Sequence, residues 1–229
     1  MITRIILDNI AYKPDMEGLF TDLHVDKNGR DADTLVRLAG EAGEIARPKV
    51  VHGIAFIEDR GEDFVVADGV RFSSRVMSVN LSKVNRVFPI IATCGKEIEA
   101  WSKGIKDMLQ HYWADKIKEM ALRSAVEKGI ADINKRYDPG KTSYMSPGSI
   151  EDWPLSEQEG LFSLLGNPES AIGVELTDSF LMLPPKTVSR IMFATEKAYE
   201  NCQLCPRDGC PNRRAPYEAD LYEKDYEVR

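Results

Sequence analysis

The chain has 229 residues, 43% of them hydrophobic and 29% charged, and 30 Lys plus Arg against 37 Asp plus Glu give a formal net charge of −7. This length suits one large domain or two small lobes around a shared core. The acidic balance argues against a nucleic-acid partner, which wants a basic face, and no apolar run approaches the roughly 20 residues that a membrane span needs.

The opening "MITRIILDNIAYKPD" has neither the apolar segment nor the small-residue cleavage site of a signal peptide, so a cytoplasmic location is expected. Ile2 to Leu7 mixes β-branched and polar residues and reads as a strand. Residues 15–30 read as irregular. Leu35, Leu38, Ala39, Ala42 and Ile45 recur at helical spacing, with Asp31 or Asp33 as cap and Pro48 as stop. Lys49 to Ile57 reads as a strand, and "FVVADGVRF" as a hairpin turning at Asp68-Gly69. "RVMSVNL" and "RVFPIIATCG" are further strand candidates.

A helical zone follows from Lys96 to Tyr137, with a stripe of Trp101, Ile105, Met108, Leu109, Tyr112, Trp113, Ile117, Met120 and Ala121, and with Gly129 as a break. Its "EIEAWSKGIKD" segment reads as a solvated face, and Trp101 and Trp113 as core. "DPGK" stops the helix. In "PLSEQEGLFSLLG" Ser156 and Glu159 suit a capping box, and Leu161, Phe162, Leu164 and Leu165 the buried side. "IGVELTDSFLMLPPKTVSRIMFATE" reads as strand, Pro-Pro turn, strand. The acidic tail from Glu218 is expected to be loosely held. Antiparallel-looking strands with a few helices make the fold class α+β.

Between the two helical zones lies "YMSPGSIEDWP". Pro147 and Pro154 fix φ and remove N–H donors, while Gly148 permits positive φ. The result is a stiff loop, either a connector or the holder of a small polar ligand. No phosphate-binding glycine loop, G-x-S-x-G or H-E-x-x-H motif is present, and no nucleophile–base pair supports hydrolysis.

"SPGSIEDWPLSEQEGLFSLL" followed by "IGVELTDSFLMLPPKTVSRIMF" resembles the activation domain of cobalamin-dependent methionine synthase, and more closely the stand-alone proteins related to it. The steps that carry the likeness are Pro147-Gly148, Leu155 to Leu165, Ile172-Gly173-Val174, Leu176-Thr177-Asp178-Ser179, Pro184-Pro185 and Thr187-Val188-Ser189. The likeness runs over residues 144–193 and continues more weakly through "IARPK" and "ATCGKEIEAW".

It implies a single activation-like unit over 1–229: an N-terminal strand–helix–strand lobe (1–95), a helical and activation-like core (96–217) and the acidic tail (218–229). It also implies an accessory role in cobalamin-dependent methyl transfer and methionine biosynthesis. In that role S-adenosylmethionine is bound, and cobalamin is met on a corrinoid-binding methyltransferase or methionine synthase subunit. Reactivation there couples a one-electron reduction of cobalt, supplied by an electron-donor protein, to methyl transfer from S-adenosylmethionine. The protein's own share is positioning.

The implied cofactor-binding residues are Tyr144, Ser146, Pro147, Gly148, Ser149, Asp178, Thr187 and Ser189, with no catalytic residue. The family loop reads Arg-x-x-Pro-Gly-Tyr; here Tyr144 stands at the Arg position and Ser149 at the Tyr position.

Cys202, Cys205 and Cys210 form a C-x2-C-x4-C pattern whose thiolates suit zinc or an iron–sulfur cluster, with Cys94 as the remaining cysteine for a fourth ligand. Free thiols or a redox disulfide are the other readings. Arg207, Arg213 and Arg214 nearby are expected to favour thiolates for metal binding or to form a docking patch for an acidic partner. His24, His52 and His111 lack metal-type spacing. The alternative function is a metal- or cluster-binding interaction or electron-transfer protein that keeps the fold without S-adenosylmethionine.

Overall fold

The computed structural model describes residues 3–227. Seven strands form the main antiparallel sheet, ordered β4-β3-β2-β5-β9-β6, with β1 pairing along the first half of β2, and two more form a separate short hairpin. The strands of the main sheet are β1 (Thr3–Leu7), β2 (Lys49–Arg60), β3 (Phe64–Ala67), β4 (Val70–Ser73), β5 (Arg86–Thr93), β6 (Thr142–Met145) and β9 (Thr187–Ala194). Ile2, assigned to the first strand by its sequence, lies outside the described residues. The helices are α1 (Met16–Asp22), α2 (Ala32–Ile45), α3 (Arg75–Asn80), α4 (Lys96–Lys103), α5 (Met108–Tyr137), α6 (Gln158–Leu165), α7 (Pro168–Ile172) and α8 (Leu221–Asp225). The mixed antiparallel architecture is the α+β class expected from the sequence.

The period of two in β5 divides the molecule into layers. Phe88, Ile90 and Ala92 meet Val50 of β2, Met192 of β9 and the α5 residues Ala125 and Ile133. Val87 and Ile91 point the other way, into a core shared with Val76 and Met77 of α3, Leu161 and Leu165 of α6, and Trp153. A third core joins α1, α2 and α4 to the first half of α5 through Leu19, Leu38, Ile98 and Trp113. The Asp68-Gly69 turn of β3–β4 has positive φ at both residues (43° and 80°), the geometry that suits a two-residue hairpin.

Several local expectations change. "RVMSVNL" is helix α3, not strand. The Ser74 side chain accepts from Met77 N at 2.9 Å, and the Asp152 carboxylate accepts from Arg75 N at 3.2 Å and Val76 N at 3.0 Å. Residues 15–30 hold helix α1, capped by Asp15 accepting from Gly18 N. Gly129 does not break α5; a Cβ there would come 2.9 Å from Val50 Cγ2, so the glycine lets a continuous 30-residue helix lie close on β2. The stripe over 96–137 belongs to two helices separated after Gly104, and its Met108, Leu109 and Tyr112 face solvent, Met108 with 87% exposure.

Glu99, placed on a solvated face by sequence, is buried and bonded to buried Lys118 at 2.8 Å. No side-chain capping box forms at Ser156; a short 3-10 turn, Leu155–Glu157, leads into α6 instead. The strand expected before the Pro-Pro turn shrinks to a two-residue hairpin, β7 (Glu175–Leu176) with β8 (Met182–Leu183). The tail is not loose through its described part. Tyr226 is buried in the core, its carbonyl accepts from Arg75 Nε at 2.8 Å, and its hydroxyl bonds Asn80 at 3.2 Å. Burial pushes that phenol up to about 12. Among the described residues no helix is long and apolar enough to cross a membrane.

Candidate functional site

The stiff loop leaves the sheet at Met145 and is tied down from within. Gly148 N donates to Trp153 O at 2.8 Å, Ser149 N donates to Ser146 O at 3.2 Å, and Ile150 and Trp153 form an isolated bridge. Trp153 is fully buried and packs edge-on against Phe72, with ring centroids 6.0 Å apart. Gly148 has φ +76°, and a Cβ there would stand 2.9 Å from Leu155 Cδ1. Pro147 is buried, while Ser146 and Ser149 are half-buried and their hydroxyls make no hydrogen bond among the described residues. The loop therefore holds two free hydroxyls on a rigid frame.

Beside it lies a cavity of about 440 Å³, lined by Ile150, Glu151, Asp152, Leu204, Tyr217 and Tyr222 among others. Its carboxylates and aromatic rings favour a cationic or amphipathic guest. Asp152 also holds the α3 N–H groups and accepts from Tyr222 Oη at 3.4 Å. Burial and the Asp152 charge raise the Tyr222 phenol pKa.

Tyr144, in β6, points to the opposite face of the sheet from Met145 and sits in the α5 core. The Arg190 guanidinium carbon lies 4.1 Å from its ring centroid and that of Arg214 4.7 Å. Thr187 and Ser189 are buried and spent on internal bonds: Thr187 Oγ1 with Thr93 Oγ1 at 3.0 Å and Pro184 O at 2.7 Å, Ser189 Oγ with Gln158 Oε1 at 2.7 Å. Asp178 is exposed at the tip of the β7–β8 hairpin. The eight cofactor-binding residues read from the sequence thus fall into separate groups. The loop residues share one frame, Tyr144 sits across the sheet with two arginines, Thr187 and Ser189 are bonded into the interior, and Asp178 stands apart. Arg190 and Asp152 were not singled out by sequence reasoning. The signal for Arg190 was a charge inside the apolar run "VSRIMF".

The structure sets Cys94 apart from the other three cysteines. Cys94 is buried in the α2–α4–α5 core, where burial lifts its thiol to about 12. Cys202, Cys205 and Cys210 are half-buried in a loop whose middle is filled by Arg213. That guanidinium donates to the carbonyls of Cys202 (3.0 Å), Cys205 (3.1 Å), Ala215 (3.3 Å) and Arg207. Among the described residues no three His, Cys, Asp or Glu side chains gather around a common centre.

One histidine is structural in a way that titrates. His52 is fully buried on β2 and its Nε2 lies 2.9 Å from Asp132 Oδ2 of α5. Burial lowers its pKa below the ordinary value, against the opposing pull of Asp132. A histidine held neutral in the folded chain contributes stability above its unfolded pKa of about 6.5 and loses it as pH falls through the lower folded value. The denaturation midpoint is therefore expected to fall from pH 7 to pH 5, and less steeply in His52→Gln. Equal slopes in chemical denaturation series across that range would contradict this.

No family model and no curated protein sequence matches the chain. Among solved structures it is similar to the crystal structure of the MetH reactivation domain bound to AdoHcy, with a TM-score of 0.60 and 14% identity, over 88% of this chain and 81% of that one. At this identity the likeness concerns the fold.

Proposed function

We propose that this chain is a reactivation-like accessory of cobalamin-dependent methyl transfer. It binds S-adenosylmethionine at the Ser146–Ser149 loop and meets a corrinoid-carrying partner. The observation that carries the reading is the shared fold with a reactivation domain that was crystallised with AdoHcy, the demethylated form of S-adenosylmethionine. The rigid Pro147-Gly148 loop with its unbonded serine hydroxyls supports it. So does the adjoining cavity of about 440 Å³, whose carboxylates and tyrosine rings suit an ammonium and sulfonium cation.

On this reading Gly148 allows close approach, Ser146 and Ser149 supply hydroxyls, and Glu151 with Tyr217 and Tyr222 faces the positive end of the ligand. The corrinoid supplies the redox and methyl-accepting chemistry when its carrier is docked, and this chain positions the methyl donor and excludes water. The test is calorimetric titration of the purified chain with S-adenosylmethionine under anaerobic conditions. Saturable binding is expected, weakened at least about tenfold in Gly148→Val, where the positive φ is strained for a β-branched side chain and a Cβ would crowd Leu155. Absence of binding at millimolar ligand would overturn the assignment.

A further inference from the structure

We infer that the cleft between α5, β9 and the 211–214 turn is a binding site for an anionic oxygen group, a carboxylate or phosphate, received by Arg190 and Arg214. The cleft has a volume of about 630 Å³. Of its other cations, Lys186 is engaged by Asp115 at 2.8 Å, Arg123 lies 3.9 Å from Glu119, and Arg213 is spent on loop carbonyls. Arg190 has no such engagement. It is nine-tenths buried, its side chain makes no hydrogen bond or ion pair among the described residues, and its Nε is a buried donor without acceptor. Its contact is with the Tyr144 ring, and the Tyr144 hydroxyl is likewise buried and unpartnered.

A buried guanidinium with no anion beside it is costly, and one that lines an open cleft is completed by a ligand. Arg214 stacks near the same ring and has its Nε 3.6 Å from Glu200 Oε2. Glu200 also offsets Arg190 at longer range, and burial raises the Glu200 carboxyl pKa. Burial pulls Arg190 down to about 10, so the group still carries its charge at neutral pH. Two planar forks facing one cleft match the two oxygens of a carboxylate or the oxygens of a phosphate. In a chain of net charge −7 this is a local reversal of sign.

The inference does not rest on S-adenosylmethionine binding, because the first probe is inorganic pyrophosphate. Titration of the full chain at constant ionic strength is expected to give saturable binding, weakened at least about tenfold in Arg190→Gln and in Arg214→Gln. The second variant alters a half-exposed side chain, so it carries the test if the first fails to fold. S-adenosylmethionine and its decarboxylated form are titrated in parallel. Support for a carboxylate source would be loss of S-adenosylmethionine affinity in the variants with the decarboxylated form unaffected. Support for a phosphate source would be loss of pyrophosphate alone. Binding of both probes undiminished in both variants, or no binding of either probe to the native chain, would overturn the site.

Discussion

Trp153→Ala is expected to destabilise the chain by about 3–5 kcal/mol, the range for truncating a large buried aromatic. Trp153 is fully buried, meets Phe72 edge-on at 6.0 Å, and accepts the Gly148 N–H at 2.8 Å through its carbonyl. Its indole Nε1 lies 3.3 Å from Glu157 Oε2. Removing the ring empties the seat of the loop against the core that Trp153 shares with α3, α6 and β5, so two readouts should move together. The melting temperature should drop by about 6–20 °C, taking about 2–4 °C per kcal/mol for a chain of this size. S-adenosylmethionine titration should also lose affinity even below the melting transition. Trp153→Phe should recover much of the stability. A loss below about 1 kcal/mol in denaturant unfolding would mean that the loop is not seated on this core.

The second large effect is expected from Lys118→Met. Lys118 on α5 and Glu99 on α4 are both buried and meet at 2.8 Å. Taking away one partner strands the other as an uncompensated charge, which costs about 3–5 kcal/mol. The exposed Lys103, 3.5 Å from Glu99, offsets a part, so about 3 kcal/mol is the expected loss. Glu99→Gln combined with Lys118→Met should recover most of it, because the pair is then removed whole and only the coupling between neighbours is at stake. Equal destabilisation by the single and double variants in urea unfolding would show that the pair is not the cause.

What the sequence made legible was periodic and local. The α2 stripe, the Asp68-Gly69 hairpin and the apolar β5 run follow from side-chain spacing and turn chemistry, which need no knowledge of neighbours. The Pro-Gly loop was visible for the same reason. Helix α3 has a local N-cap in Ser74, but six residues rich in β-branched and polar side chains read as strand, and the second cap, the Asp152 carboxylate, comes from 77 residues further on. Gly129 was misread because its role is set by Val50 across the interface. Within the candidate site, Thr187 and Ser189 are polar residues of the right type whose partners, Thr93 and Gln158, come from elements far along the chain. Arg190 went unnoticed because orphaned burial is a property of three-dimensional surroundings.

Helix α5 has 30 residues, so it is about 45 Å long at about 1.5 Å per residue, and it takes part in two of the three cores. A rod of that kind ties the opening of one region to that of the other. Amide protons in its first half, under Trp113 and Ile117, and in its second half, under Ala125 and Ile133, should exchange with deuterium as one cooperative block rather than as two. Loosening α1 or α2 at one end would then be felt in the Arg190 cleft, which Leu122, Arg123 and Val126 of the same helix line.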